Sequence, residues 1–129
     1  IFLGTLSMTR LVMESVNCSL IPIAELIENQ PMACNVLINN QDTAVIVIRI
    51  KADVFVYLNQ CPHQGRRLDY APGKFLYKNG ALICAAHGAS FEMRSGLCQQ
   101  GPCRGESLQS LVSEVLPDKQ SIRVFLTAN

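Results

Sequence analysis

Two short boxes, Cys61-Pro62-His63-Gln64-Gly65 and Cys84-Ala85-Ala86-His87-Gly88, constrain this chain more than any other feature. Together they read C-x-H-x20-C-x2-H, and they contain both of the 2 histidines in the sequence. Two thiolates and two imidazoles can close a metal site. Thiolate suits iron, zinc and copper(I), while imidazole accepts zinc, copper and iron. Structural zinc sites usually pair cysteines as C-x2-4-C and histidines as H-x3-5-H. Here each half-site is mixed, one cysteine with one histidine. Mixed half-sites can place both thiolates on one metal and both imidazoles on its neighbour, the arrangement of a two-iron centre in which histidines replace two cysteines.

The flanking sequence says what carries these boxes. Thr9 to Val16 alternates loosely, as a first strand would. Ile23-Ala24-Glu25-Leu26-Ile27-Glu28 has room for one or two helical turns before Asn29-Gln30-Pro31 ends them, and so short a piece must pack on a sheet edge. From Met32 the period becomes two. Cys34–Ile38, Thr43–Ile50 and Val54–Asn59 are predicted strands joined by short polar turns, a meander with one packed and one partly wet face. Phe75-Leu76-Tyr77 and Ala81-Leu82-Ile83 flank Lys78-Asn79-Gly80, and Asn-Gly is a strong hairpin signal. Ser90–Met93 reads as a return strand. Leu108–Leu116 and Gln120–Leu126 close the fold across a turn at Pro117-Asp118-Lys119. Each box therefore leaves the end of a strand.

Composition supports an ordered, well-buried single domain spanning 1–129, with hydrophobic residues at 49% and charged residues at 16%. A formal net charge of +1 calls for neither nucleic acid nor an anionic membrane as partner. No uncharged apolar run of about 18 residues is present to span a membrane. The apolar start, Ile1 to Leu6, is soon interrupted by Arg10 and lacks the basic opening of a signal peptide. The 6 cysteines are Cys18, Cys34, Cys61, Cys84, Cys98 and Cys103. An even count fits three disulfides in a secreted protein, but two of these are claimed as ligands, and the expected setting is reducing and cytoplasmic. Cys18 and Cys34 read as small buried thiols.

Through CPHQG at 61–65 and CAAHG at 84–88, continuing into Phe91, Gly96 and Gly101-Pro102, the chain resembles the Rieske ferredoxin family. The likeness covers roughly residues 20 to 127. It implies an all-β fold, an antiparallel β-sandwich-like base at about 9–59 and 99–127 carrying an inserted cluster-binding subdomain at about 60–98. It also implies one Rieske [2Fe–2S] cluster per chain. Cys61 and Cys84 would ligate the inner iron, and His63 and His87 the outer. Gly65 and Gly88 would let the backbone approach the cluster, Pro62 would stiffen the first loop, and Pro102 would sit in the loop that covers the centre.

Departures from the respiratory and photosynthetic branch carry information. Those relatives bridge their two loops with an extra cysteine pair, whereas Arg66 and Ala86 stand at the matching positions here. They also carry a serine and a tyrosine that hydrogen-bond toward the cluster, where this chain has Ala89 and Phe91. Fewer donors to the sulfurs leave the reduced state less stabilised, which implies a low-potential centre resembling bacterial dioxygenase ferredoxins. Cys98 and Cys103, in G-L-C-Q-Q-G-P-C-R-G, are open to three readings: buried thiols, a disulfide, or a share in a metal site. Arg66, Arg67 and Arg94 read either as solvated charge or as an encounter patch for an acidic redox partner.

The expected function is one-electron transfer, from an NAD(P)H- or flavin-dependent reductase to a terminal oxygenase. No nucleophile constellation is visible, and the two histidines are spent on the boxes, so a non-catalytic component is expected rather than an enzyme. Two rivals remain open: a small Rieske subunit of a nitrite reductase or similar complex, or an excised oxygenase domain, and a structural or interaction module holding zinc.

Overall fold

Val45-Ile46-Val47-Ile48, four consecutive β-branched residues, lies at the centre of the protein, and all four are fully buried. Its surroundings come from a computed structural model, which describes residues 20–38, 40–62, 65–84, 88–116 and 121–125. The strand anticipated at 9–16, Cys18, the 117–119 turn and both histidines lie outside the described residues.

The elements in chain order are β1 (Leu20–Pro22), a 3-10 turn (Ile23–Glu25), β2 (Met32–Ile38), β3 (Gln41–Ile50), β4 (Asp53–Leu58), β5 (Leu76–Lys78), β6 (Ala81–Ile83), β7 (Ser90–Glu92), β8 (Cys98–Gln100), β9 (Ser110–Val115) and β10 (Ser121–Phe125). Six strands form one antiparallel sheet in the order β1-β10-β9-β4-β3-β2, and four form a second in the order β5-β6-β7-β8. The meander expected from the period-two pattern is present, with Ile46 opposite Tyr57 and Val47 opposite Val56. The Asn-Gly hairpin is present too: Asn79 and Gly80 both have positive φ, at 51° and 80°, and Lys78 pairs with Ala81. The helical piece is shorter than anticipated, a single 3-10 turn ending at Leu26. It is held against the end of β3, where the Asn29 amide donates to the Arg49 carbonyl and the Lys51 amide donates to the Glu28 carboxylate.

One expectation is corrected. The meander does not have a wet face at its centre, because β3 is covered on both sides. Alternation sends Val45 and Val47 into one core with Ile21, Val36, Ile38, Val56, Leu111 and Ile122. All six strands of the large sheet supply that core, so the sheet curls around its own face. Ile46 and Ile48 point the other way, into a second core with Tyr57, Leu68, Leu82, Phe91 and four cysteines. A run buried on both faces loses the alternating polar signature that a half-exposed strand would show. Each such aliphatic side chain removed from water contributes about 1.5–3 kcal/mol. The second core lies between the two sheets. It is tied across them by the buried Tyr57 hydroxyl, which donates to the Met93 carbonyl at 2.6 Å.

Candidate metal centre

Cys61 and Cys84 both belong to the core between the sheets, at 2% and 0% exposure. Each begins a loop of the same construction. In the first, the Cys61 amide donates to the Arg66 carbonyl at 2.7 Å and the Gly65 amide donates to the Cys61 carbonyl at 2.7 Å. In the second, the Cys84 amide donates to the Ala89 carbonyl and the Gly88 amide to the Cys84 carbonyl, both at 2.8 Å. Gly65 and Gly88 have the same φ of +72°, a left-handed turn that glycine enters without the penalty a Cβ carries. The described residues at the two ends of each box thus make the same pair of backbone hydrogen bonds beside a buried thiol. His63 and His87 fall inside these loops but outside the described residues.

The base of the first loop is closed by a polar staple. The Asn59 carbonyl oxygen accepts the Leu68 amide at 2.7 Å, and its amide nitrogen donates to Asp69 Oδ1 at 3.1 Å. Arg67 grips the same carboxylate in bidentate fashion, with Nε and Nη2 each at 2.9 Å, and the Gly73 amide donates to Oδ2 at 3.1 Å. Four donors on one buried carboxylate fix the chain on both sides of the loop. The Arg67 hydrogen bonds, helped by those from Gly73 and Asn59 and opposed by burial, hold the Asp69 carboxyl below its ordinary value of 3.8. This staple was not legible in the sequence, where Asn59 read as a strand end.

A depressed carboxyl contributes stability that is complete above the unfolded value and is lost as pH falls through the folded one. Asp69→Asn is therefore expected to cost about 2–3 kcal/mol at neutral pH, since an amide must turn its NH2 toward two donors. Thermal melts should show the gap between wild type and variant constant above pH 4 and shrinking below 3.8. A gap that does not change with acid would remove the carboxylate from this account.

Gly101 closes the site from the side of the small sheet's last strand. Its φ is +103°, and a Cβ there would lie 2.7 Å from the Ala89 Cα, so the Gly101-Pro102 turn rests directly on the second loop. Pro102 itself is exposed, and Cys103, the next residue, is fully buried. Cys103 Sγ lies 3.2 Å from Cys98 Sγ. Ala89 and Phe91 are fully buried at the same place and carry no hydroxyl. Cys34 is separate, packed against the other core, where burial and then the Glu25 charge push its thiol up to about 11.

The basic set is less available than its sequence suggested. Arg67 is committed to Asp69. Arg94 sits 5.6 Å from the centre of the Phe55 ring and 3.6 Å from the Asp53 carboxylate. Arg66 is exposed beside the first loop.

Two antiparallel sheets, with Cys61 and Cys84 buried in the core between them, define a small all-β domain. The chain belongs to the Rieske [2Fe-2S] domain family, whose sequence profile it matches over residues 18–120. The cofactor of such a domain is a Rieske-type [2Fe–2S] cluster. The residues present fit it, because the loops place two buried thiols in one core and the two imidazoles belong to the same boxes. No curated protein sequence matches the chain. Among solved structures, the ferredoxin of carbazole 1,9a-dioxygenase from Nocardioides aromaticivorans IC177 is similar in fold, with a TM-score of 0.64 and 23% identity over 84% of this chain and 95% of that one. The reduced complex between oxygenase and ferredoxin in carbazole 1,9a-dioxygenase matches with a TM-score of 0.70 and 16% identity, over 91% of this chain and 30% of the matched chain. The terminal oxygenase of carbazole 1,9a-dioxygenase from Novosphingobium sp. KA1 matches with a TM-score of 0.69 and 17% identity, over 97% of this chain and 35% of that one. Among the described residues no helix is long and apolar enough to cross a membrane.

Proposed function

We propose that this chain is a one-electron carrier that takes an electron from an NAD(P)H- or flavin-dependent reductase and passes it to a terminal oxygenase. Cys61 and Cys84 hold the inner iron as thiolates, and His63 and His87 hold the outer iron as imidazoles. The cluster supplies reversible one-electron oxidation and reduction. The chain's residues do the rest: the paired loops hold the thiols at fixed positions in a dry core, and the Asn59–Asp69–Arg67 staple keeps the first loop from shifting between oxidation states. In this reading the small sheet with its two loops is the cluster-binding unit, and the curled six-stranded sheet is its base. Gly65, Gly88 and Pro102 shape the backbone around the centre, and the protein works in the cytoplasm. The observation that carries the reading is the equivalence of the loops at Cys61 and Cys84, each closed by the same two backbone hydrogen bonds. A ferredoxin of a dioxygenase shares the fold over 95% of its own length.

A second reading has its own support. The same fold occupies only about a third of the oxygenase chain it matches, 35%, so the domain also suits an electron-relay module within a larger oxygenase assembly. Permanent co-purification with a catalytic chain carrying mononuclear iron separates this from a free carrier.

The deciding experiment is electron paramagnetic resonance on anaerobically purified, dithionite-reduced protein, with a potentiometric titration of the same sample. The expected result is a rhombic signal with mean g below the free-electron value, two irons and two labile sulfides per chain. Rieske centres span about −150 to +300 mV. Ala89 and Phe91 offer no hydroxyl donors, so a midpoint near about −150 mV is expected. A colourless protein holding one zinc would refute the electron-carrier reading.

A further inference from the structure

We propose that the outer edge of β5 docks an extended, acidic segment of a partner protein, which adds to the small sheet as a further strand. The inference goes beyond the electron-carrier reading and does not depend on it. β5 is the end strand of the sheet β5-β6-β7-β8, and among the described residues no strand pairs with its outer side. All of its residues, Leu76, Tyr77 and Lys78, are exposed. Lys78 and Ala81 face each other across the Asn79-Gly80 turn, where both turn residues have positive φ. In a hairpin of this type the residues flanking the turn bond to each other. Alternation then turns the Tyr77 N–H and C=O away from β6, toward solvent. Such a donor and acceptor on a sheet edge are what an added strand bonds to.

The side chains define the kind of strand that fits. Tyr77 lies opposite Leu82, which is fully buried, whereas Leu76 and Lys78 lie on the other face, opposite Ile83 and Ala81. Phe75 is buried and Lys74 exposed, so the same alternation puts Lys74, Leu76 and Lys78 in one outward stripe. Lysine on an edge strand is by itself a common guard against unwanted pairing. That role leaves the apolar part of the surface unexplained. Tyr70, Leu76 and Tyr77 are 58%, 42% and 43% exposed, half of the large hydrophobics that the described residues expose. The Tyr70 amide donates to the Lys74 carbonyl at 2.9 Å, which brings Tyr70 to the start of the stripe. Clustered apolar surface rimmed by charge marks a protein contact.

Charge selects the occupant. From Tyr70 to Phe91 the sequence carries Lys74 and Lys78 and no carboxylate. Neither lysine makes an ion pair among the described residues. An incoming strand with two carboxylates and an aliphatic residue between them, all on one face, matches the stripe of Lys74, Leu76 and Lys78 pair by pair. A second copy of this chain is the poorer occupant. Two β5 edges paired about a two-fold axis would bring both copies' lysines together with no carboxylate among them. So short a strand does not hold a permanent complex, and the contact is transient, with charge setting its encounter rate and register. β6, the neighbour of β5, runs directly into Cys84, so the partner is held on the sheet that carries the second cysteine box.

The test uses the holoprotein and a short capped peptide of the order Thr-Glu-Thr-Val-Thr-Glu-Thr, with amide exchange against water read residue by residue by NMR. At a peptide concentration about ten times its Kd, exchange of the Tyr77 amide should slow about tenfold, because it proceeds only from the free protein. The Leu76 and Lys78 amides already face β6 and should not change. Lys74→Glu combined with Lys78→Glu should weaken binding about tenfold, and a peptide with lysine in place of glutamate should not bind. Tyr77→Pro removes the outward N–H at a position where an edge strand tolerates proline, and should abolish binding, whereas Tyr77→Val should bind within about threefold of wild type. Should Tyr77→Pro fail to fold, the lysine variants and the exchange pattern still decide. No binding at millimolar peptide, equal binding of the lysine peptide, or slowing spread evenly over β5 overturns the inference. A dimer of the protein alone that Tyr77→Pro splits makes a second copy the occupant and overturns the acidic partner. None of these outcomes alters the reduced-cluster signal, on which the electron-carrier reading is judged separately.

Discussion

Cys84→Ala protein is expected to purify without iron or labile sulfide and to give no reduced-cluster signal, while its β-sheet circular dichroism persists. Cys84 is fully buried where β6 ends, and its amide and carbonyl are both engaged in closing the second loop. Alanine keeps the backbone bonds and the Cβ, so the loop loses only its sulfur. The iron would then be one ligand short in an apolar core, with no side chain at that position to replace a thiolate. The cost to the fold is that of a small cavity, about 1 kcal/mol. Cys34→Ala provides the contrast. Cys34 packs on the opposite face of β2, against the core of the curled sheet, and its removal should leave iron content unchanged. Full iron occupancy in Cys84→Ala, or its loss in Cys34→Ala, would reverse the assignment of these two cysteines.

Gly101→Ala should cost about 3 kcal/mol and release iron faster. Two penalties add. A non-glycine residue at φ +103° is strained by about 1–3 kcal/mol. The new Cβ would also meet Ala89 at 2.7 Å from its Cα and 3.2 Å from its backbone nitrogen, contacts no side-chain rotation relieves. Overpacking of this kind costs about 1–3 kcal/mol. Relief requires the Gly101-Pro102 turn or the second loop to move, and the second loop carries Cys84 and Gly88. Gly80→Ala separates the two penalties, since Gly80 has φ +80° with nothing within 4 Å of the added Cβ. It should show only the strain and no change in iron retention. Chemical denaturation gives the first quantity, and the rate of iron transfer to a chelator the second. Equal costs at the two glycines would remove the contact with Ala89 from the explanation.

Local chemistry made much of the architecture legible. The run Thr43–Ile50 is β-branched, and Asn79-Gly80 is a hairpin turn by its own conformational preferences, so both elements appear where the sequence places them. The strands at the C-terminal end were legible for the same reason. The double burial of β3 was not, because a strand covered on both faces and a strand covered on one differ only in what other elements do. The 3-10 turn at Ile23–Glu25 is shorter than the apolar spacing suggested, since Arg49 and the end of β3 take up the backbone groups that a longer helix would have used.

The boxes at 61–65 and 84–88 determined the family and the cofactor from the sequence by itself, because ligand chemistry is written in residue type and spacing over a few positions. Tertiary structure alone decided what surrounds the thiols. Asn59 and Asp69 became a staple, Gly101 came to rest on Ala89, and Cys103 arrived beside Cys98. The reason is physical. Periodicity and turn propensity act within a few residues and say which way a side chain faces, whereas the neighbour it faces is chosen by how two sheets pack on one core.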